Sequence, residues 1–478
     1  MSNRNIKDFT ILGVGKALQV LIGLGSLRLI TELLSESEVG IYYILLTVVN
    51  LLAFACFNPL GQFYSRHLVH WKQKNNIKTA TNVMLVLRGA AIPVAAILSI
   101  FIFYLFDYEQ YFSLMSYVFF IIISLVALVH GVFLSAANVL VSRITFTIFS
   151  VSTLLVSLIA SLLLFSLFQS AMAWLYGAVL VQIIFSLLLY RVLVSKSVFS
   201  LDKAKLAFNK EYLIKVFLFI LPVTFTLFLQ WGQTASFRLI LEHLYSAKIL
   251  AFISVGLALS NSIFSALDSL ATQFYMPLYL KKITNATKSD RALIWNQLAN
   301  SMFSIYIGVT IYVIVFSPYL AKLLVSENFY EAYIYTMIGA VIELFRVSTN
   351  LIYMVSQSEV KTKNTIGPYF FGFLIMIIGL YSIDVSKDLW KVPVILAFSY
   401  LITLLTMFLS MKKLLNIKLN FSIIVKSILF MSPLLFFSFI ESAPTMSNSI
   451  GWLIIGGLYF LLIQYFLLKN KIQIMSLK

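Results

Sequence analysis

The chain alternates between long apolar segments and short polar breaks along its whole length. Fourteen segments come close to or exceed the roughly 20 apolar residues that a helix needs to cross a bilayer. The pattern therefore predicts an all-α integral membrane protein with about 14 transmembrane helices. We place the spans at residues 7–31, 39–65, 79–106, 112–141, 144–168, 171–194, 212–238, 247–276, 291–316, 332–356, 364–383, 390–411, 421–440 and 450–468.

The polar breaks alternate in charge. Most of the 35 lysines and arginines fall in one set, such as 66–78 and 412–418, and most of the 18 acidic residues fall in the other, such as 31–38 and 107–110. By the positive-inside rule the basic set is cytosolic, so both termini are predicted to lie in the cytosol. The longest external break, 317–331, is too short to fold as a domain. Any chemistry must therefore take place in the membrane or at its edge.

Composition supports a membrane protein and argues against several other classes. Hydrophobic residues make up 61% of the chain and charged residues 11%, far from the soluble average. The net charge of +17 is spread over span ends, where lysine and arginine meet anionic lipids, so nucleic acid is not an expected partner. The single Cys56 leaves no intrachain disulfide. His67 and His70 have no third ligand nearby in the sequence, so no metal site is predicted.

A faint internal repeat suggests how the spans are grouped. Arg28 and Glu32 in RLITE match Arg238 and Glu242 in RLILE, and an even number of predicted spans separates the two copies. Both copies then start on the same side of the membrane, which gives a pseudo-two-fold axis along the membrane normal. We predict a six-helix lobe at 1–205, a second six-helix lobe at 206–411, and two additional transmembrane helices with a cytosolic tail at 412–478.

Ionisable residues inside the spans are the functional candidates, because charge at membrane depth is costly. Lys16 and Arg88 fall near mid-depth, Asp268 lies in the eighth span, and Glu343 and Arg346 lie in the tenth. They predict a water-filled, net cationic cavity between the lobes that holds an anionic group. Alternatively, Glu343 and Arg346 neutralise each other, and Lys16 snorkels to the surface. Asp268 either takes up a proton or pairs with Lys16 or Arg88.

Two further arginines lie at external span ends. Arg28 and Arg238 each precede an acidic residue by four positions, so a local ion pair explains both without a functional role. We retain them as candidates and predict two groups of site residues. The substrate-binding group is Lys16, Arg88, Arg28, Arg238 and Arg346, and the group for ion coupling is Asp268 and Glu343.

The stretch LRLITELLSESEVGIYYILLTVVNLL at 27–52 resembles a known family. Its signature is an Arg-Leu near the end of the first span, a short acidic linker, then Gly-Ile-Tyr, here Arg28, Leu29, Glu36, Glu38, Gly40, Ile41 and Tyr42. This pattern is similar to that of the multidrug/oligosaccharidyl-lipid/polysaccharide exporter superfamily. Within it, the chain resembles the Wzx-type flippases of bacterial O-antigen and other polysaccharide units. The number of spans extends the likeness over the whole chain.

The resemblance implies a flippase of the bacterial inner membrane, active in polysaccharide or lipopolysaccharide biosynthesis and not an enzyme. Its substrate would be an undecaprenyl-diphosphate-linked oligosaccharide, moved from the cytosolic to the external leaflet, with membrane lipids and polysaccharide polymerase machinery as partners. No cofactor is implied beyond proton or sodium coupling. A glycan and its diphosphate cannot cross hydrocarbon unaided, and Lys16 and Arg88 would meet the diphosphate. The alternatives are a drug/cation antiporter of the same superfamily, a membrane polysaccharide polymerase and a structural scaffold.

Overall fold

A computed structural model describes residues 3–194, 209–283, 286–359, 361–382, 384, 388–439 and 444–476. This part of the chain is helical and contains no strand. The helices are α1 (Asn3–Leu33), α2 (Glu36–Leu52), α3 (Asn58–Gln73), α4 (Ile77–Leu105), α5 (Leu114–Ala127), α6 (Val129–Leu140), α7 (Arg143–Phe168), α8 (Ala171–Val194), α9 (Lys210–Ala235), α10 (Phe237–Leu244), α11 (Ala247–Ile283), α12 (Lys288–Leu324), α13 (Tyr333–Ser358), α14 (Ile366–Ser382), α15 (Lys391–Lys412), α16 (Phe421–Met431) and α17 (Met446–Ser476).

The prediction of about 14 membrane helices is confirmed. In the described part of the chain, 13 helical segments are long and apolar enough to cross a membrane. A shorter apolar segment, Phe421–Phe437, accounts for the remaining predicted span. The protein is therefore a multi-pass membrane protein.

The connection predicted over 317–331 is largely helical. α12 continues through Pro318 to Leu324, and a 3₁₀ helix covers Glu327–Ala332. Proline removes the backbone donor for the carbonyl four residues earlier. Here the hydroxyl of Ser317 donates to that carbonyl, Ile314 O, at 3.1 Å. The helix is therefore not forced to end at the proline.

The Cα positions group the chain into two compact units. Unit 1 comprises Met1–Gly23 and Leu34–Lys248, and unit 2 comprises Leu24–Leu33 and Ile249–Lys478. The last turns of α1 thus belong to unit 2. The predicted lobe boundary at 205/206 lies outside the described residues, so the division into two related lobes stays a prediction.

Each unit has a buried core that packs its helices together. In unit 1 the core joins α3, α4, α6 and α8 through Tyr64, Leu68, Ala80, Met84, Phe133, Ala136, Ala137 and Leu189. In unit 2 one core joins α12 to α16 and α17 through Val315, Phe316, Tyr319, Met431, Leu434 and Ile463. Small and aromatic side chains pack closely there, as membrane helix interfaces require.

A polar contact reinforces the attachment of α17 in unit 2. Gln464 Nε2 donates to the backbone oxygen of Ser304 at 3.2 Å, and Ser427 donates to the hydroxyl of Ser304 at 3.0 Å. These groups are buried, and interhelical hydrogen bonds of this kind stabilise membrane helices modestly. The two additional helices are therefore fixed to α12 by polar as well as apolar contacts.

Candidate functional site

The second membrane span of unit 1 is broken near its middle. A π-helical turn at Ala53–Phe57 separates α2 from α3, and Pro59 follows it at the start of α3. Pro59 has no N–H, so the carbonyl of Ala55 loses its helical donor. The hydroxyl of Thr224 on α9 donates to this carbonyl at 3.3 Å. A neighbouring helix thus satisfies the backbone group that the break exposes, as irregular backbone in a membrane requires.

Arg88 lies against the same break. Its side chain on α4 is only 5% exposed, and Nη1 donates to the carbonyl of Phe57 at 3.4 Å. The guanidinium carbon lies 5.1 Å from the centroid of the Phe57 ring. Nη2 has no hydrogen-bond partner, and no carboxylate pairs with Arg88 among the described residues. A buried cation without an acid carries an unbalanced charge.

Lys16 lies on the part of α1 that belongs to unit 1. A methyl group at the neighbouring Gly15 would overlap the side chain of Thr147 on α7. Gln19 Nε2 donates to Ser150 Oγ, also on α7, at 2.8 Å. Lys16 itself is half-buried, and its ammonium group has no ion pair or hydrogen bond with another described residue. Like Arg88, Lys16 lies in a span of unit 1 and has no acidic partner among the described residues.

Arg238 lies elsewhere in unit 1, on the short helix α10. Its guanidinium carbon is 5.3 Å from the ring centroid of Tyr43 and 5.2 Å from that of Phe237. Phe57, which contacts Arg88, follows Tyr43 by fourteen residues along one span, or about 20 Å at helical rise. The aromatic contacts of Arg238 and Arg88 are therefore well separated.

Glu242, four residues after Arg238, is a buried carboxylate in α10. It is 4% exposed, and Oε2 has no hydrogen-bond partner. Burial raises the pKa of the Glu242 carboxyl, and a hydrogen bond from Tyr111 partly opposes this shift. Burial beside Glu242 also raises the pKa of Tyr111 to about 12. Protonation of Glu242 is thus favoured relative to an exposed glutamate.

In unit 2, Asp268, Glu343 and Arg346 form one cluster. Arg346 Nε donates to Glu343 Oε2 at 2.7 Å, and Arg346 Nη1 lies 3.9 Å from Asp268 Oδ2. Asn350 donates to Asp268 Oδ2 at 3.0 Å, and Asn261 donates to Glu343 Oε1 at 2.9 Å. The pair between Glu343 and Arg346, one of the two alternatives drawn from the sequence, is present. Because two carboxylates meet one guanidinium, the cluster can hold an additional proton or cation.

Arg28 lies at another place in unit 2. Its Nε is 3.0 Å from Glu32 Oε2, as a local pair predicts. Its Nη1 donates to the backbone oxygen of Val325, and Thr31 Oγ1 accepts from the N–H of Ser326 at 3.0 Å. These bonds hold the end of α1 to the end of α12. The observed contacts of Arg28 therefore account for its position without a ligand.

The residues that carried the family resemblance have packing roles in unit 1. Glu38 accepts from the N–H of Ala171 at 2.5 Å and so caps the start of α8. Glu36 Oε2 lies 2.7 Å from Lys248 Nζ. A methyl group at Gly40 would overlap the backbone carbonyl of Ala247. The motif thus fixes the ends of helices, and only glycine fits where two backbones meet.

Solved structures with a similar fold include a flippase and two transporters. One is described as the lipid II flippase MurJ in an inward closed conformation, with a TM-score of 0.71 and 12% identity over 98% of this chain and 100% of that chain. Another is an inward-facing multidrug resistance MATE family transporter of the MOP superfamily, with a TM-score of 0.59 and 13% identity over 83% and 94%. A eukaryotic MATE transporter has a TM-score of 0.53 and 14% identity over 90% and 99%.

The chain shares their fold. No family model and no curated protein matches the sequence, so the likeness rests on structure. The likeness to the first of these structures covers 98% of this chain, and it shows a shared all-α fold. At these identities the shared fold does not identify the molecule that this chain transports.

The site residues predicted from the sequence do not include the amides and the hydroxyl that complete the cluster in unit 2. Asn261, Ser265 and Asp268 follow one another at spacings of four and three on α11, and Asn350 lies seven residues after Glu343 on α13. Such spacings place side chains on one helix face. Arg346 Nη2 lies 3.5 Å from Ser265 Oγ. The spacing relative to the acids was the signal that would have found these residues.

Proposed function

We propose that this protein is a flippase for an undecaprenyl-diphosphate-linked oligosaccharide. An O-antigen repeat unit, or a similar polysaccharide unit, would pass from the cytosolic to the external leaflet of the bacterial inner membrane by alternating access. The prenyl chain stays in lipid throughout, while the diphosphate and sugars need a polar, cationic passage because hydrocarbon does not solvate them. The protein supplies the passage and makes or breaks no covalent bond.

One observation carries the proposal. Lys16 and Arg88 lie within the spans of unit 1, and neither has an acidic partner among the described residues. An isolated cation at that depth costs at least about 2.5–3.5 kcal/mol on insertion scales. A diphosphate compensates this charge when it is bound, and water compensates it between transport cycles.

The fold supports the same class of substrate. MurJ flips lipid II, and its structure superimposes along the whole of both chains. That fold therefore accommodates a flippase, and the uncompensated cations of unit 1 suit an anionic head group. The glycan itself is proposed from the sequence resemblance at 27–52.

The proposal is tested by measuring glycan export in variants that lack these charges. Lys16→Ala and Arg88→Ala should abolish surface glycan while protein abundance in the membrane stays normal. Arg88→Lys should restore part of the export, because it keeps the charge and loses the planar guanidinium. Full export by both alanine variants would remove these residues from the passage.

Unit 2 supports a second candidate, a drug/cation antiporter. Asp268 and Glu343 both pair with Arg346, so the cluster has a net charge of minus one when both acids are ionised. A negative charge suits a cationic drug. Two similar structures are multidrug or MATE transporters. Proton exchange stimulated by cationic dyes in vesicles would favour this candidate over the flippase.

The same cluster is where we propose ion coupling. A proton or a sodium ion would bind at Asp268 and Glu343 and alter their interaction with Arg346. Arg346 would then bind substrate only when Asp268 and Glu343 no longer pair with it. Pairing with a polysaccharide polymerase would supply each translocated unit to polymer growth on the external side.

A further inference from the structure

The exposed face of α3 is mainly polar between Gln62 and Gln73. Six residues spaced three and four apart are exposed, and Val69 is the only apolar one among them. We call this set the polar face of α3: Gln62, Ser65, Arg66, Val69, His70 and Gln73. The buried residues Tyr64 and Leu68 lie on the opposite side of the helix, in the core of unit 1.

The neighbouring helix α4 shows what a lipid-facing surface looks like in this protein. Between Gly89 and Leu105 its exposed residues are all apolar or aromatic, and the larger ones are Val94, Ile97, Leu98, Phe101, Tyr104 and Leu105. Gln62 lies inside the span placed at 39–65 and follows Gly61, where an added methyl carbon would lie 3.9 Å from Arg88 Nη1, so Gln62 lies close to the depth predicted for Arg88. An amide that deep is poorly solvated by lipid. Water must therefore reach Gln62 along α3.

The charge on this face has one sign. Arg66 is exposed, and no carboxylate pairs with it among the described residues. Its guanidinium carbon lies 5.6 Å from the ring centroid of Phe219 on α9. His70 is also exposed, and the face carries no acid. Arginine is well suited to phosphate because its planar fork presents parallel donors.

A row of aromatic rings borders the polar face. Phe63, His67 and Trp71 follow one another at intervals of four residues, and each is half-buried. The ring centroids of Phe63 and His67 are 4.6 Å apart, and those of His67 and Trp71 are 5.5 Å apart. Aromatic surfaces beside amide and guanidinium donors suit sugar rings, which have apolar faces and hydroxyl edges.

We propose that the polar face of α3 lines a water-filled path that opens near Lys72, on the side predicted to be cytosolic. We further infer that it binds the anionic, sugar-bearing head of a lipid-linked glycan, with Arg66 on phosphate and Gln62 and His70 on hydroxyl groups. The identity of this ligand rests on the proposed function. The existence of the path does not.

Cysteine labelling tests the path. With Cys56→Ala as the background, Gln62→Cys is compared with Ile97→Cys, which replaces a side chain that is 68% exposed on the apolar face of α4. A membrane-impermeant methanethiosulfonate, added from the Lys72 side, reacts only with thiolate. A lipid environment raises the pKa of a thiol, and each pKa unit of increase lowers the thiolate fraction about tenfold. Gln62→Cys should therefore react at least about tenfold faster than Ile97→Cys. Equal slow rates would overturn the proposal.

Protection from labelling tests the ligand. A polyprenyl diphosphate carrying one N-acetylglucosamine should slow the reaction of Gln62→Cys, and phosphatidylglycerol at the same concentration should not. Arg66→Gln should remove this protection, and Arg66→Lys should keep part of it. Fast labelling that neither lipid slows, or that both slow equally, would overturn specific head binding. A failure of flippase function in cells would leave the labelling rates unchanged, so the two failures are distinguishable.

Discussion

The hydroxyl of Thr224 lies 3.3 Å from the carbonyl oxygen of Ala55, the backbone group that Pro59 leaves without a donor. This bond joins α9 to the break in the second span of unit 1. Arg88 contacts the same break through the carbonyl of Phe57. Side chains from α9 and α4 thus stabilise the π-helical turn that interrupts this span. Functional sites often lie at such π-helical turns.

Removing this hydroxyl should destabilise the break. Thr224→Val keeps the shape and leaves the Ala55 carbonyl unpaired, at a cost of about 1 kcal/mol. Thermal unfolding in detergent should show a lower midpoint. Thr226→Val is the matched control, because Thr226 donates only to Pro222 in its own helix. Equal shifts in both variants would contradict a role for the bond across helices.

Gly40 gives a prediction about the family motif. Gly40→Ala places a methyl group against the Ala247 backbone, which cannot move aside as a flexible side chain can. We expect a loss of about 1–3 kcal/mol in the free energy of unfolding and reduced abundance in the membrane. Gly89→Ala is the control, because nothing lies within 4 Å of that position. A normal Gly40→Ala protein would show that the motif glycine has no packing role.

Asp268 tests ion coupling in unit 2. Asp268→Asn removes the charge but keeps an oxygen that accepts from Asn350, and Glu343 continues to neutralise Arg346. If Asp268 binds the coupling ion, export should be impaired at every external pH. Asn350→Ala is the comparison, since it removes the hydrogen bond and keeps the carboxylate. Wild-type export by Asp268→Asn across external pH would count against coupling at this residue.

Glu242 predicts a pH dependence of stability. Burial raises its carboxyl pKa above the ordinary value of 4.5, so the folded protein holds this proton more tightly than the unfolded chain does. The stabilisation is complete below pH 4.5 and is lost as pH rises through the raised pKa. Glu242→Gln should flatten this part of the curve of melting temperature against pH. An unaltered curve in Glu242→Gln would refute the assignment.

The sequence was sufficient to predict the membrane helices, because the length of an apolar segment decides whether it can cross a membrane. It was insufficient where a side chain compensates a proline: the hydroxyl of Ser317 carries α12 past Pro318, and the sequence pattern shows no such bond. It indicated the local pairs Arg28–Glu32 and Glu343–Arg346, but not the partners that other helices supply. Pairing of Asp268 with Lys16 or Arg88 was one alternative, and its carboxylate lies beside Arg346, because tertiary packing of α11 against α13 determines that partner. Proton uptake by Asp268 stays a prediction.

The observed contacts distinguish the candidate residues from one another. Arg28 forms an ion pair with Glu32 and donates a hydrogen bond to the Val325 carbonyl. Arg346 forms ion pairs with two acids. Lys16 and Arg88 have no acidic partner in the described part of the chain. Substrate binding by all of them stays a prediction, and the contacts identify Lys16 and Arg88 as the first pair to test.

The central claim is that this protein moves a lipid-linked glycan between leaflets. The direct measurement is the leaflet distribution of undecaprenyl-diphosphate-linked oligosaccharide in cells that lack the protein, read with an impermeant sugar-modifying enzyme. We predict that the intermediate accumulates in the cytosolic leaflet and that wild-type protein restores its movement, whereas Arg88→Ala does not. Intermediates that reach the external leaflet normally without the protein would contradict the account.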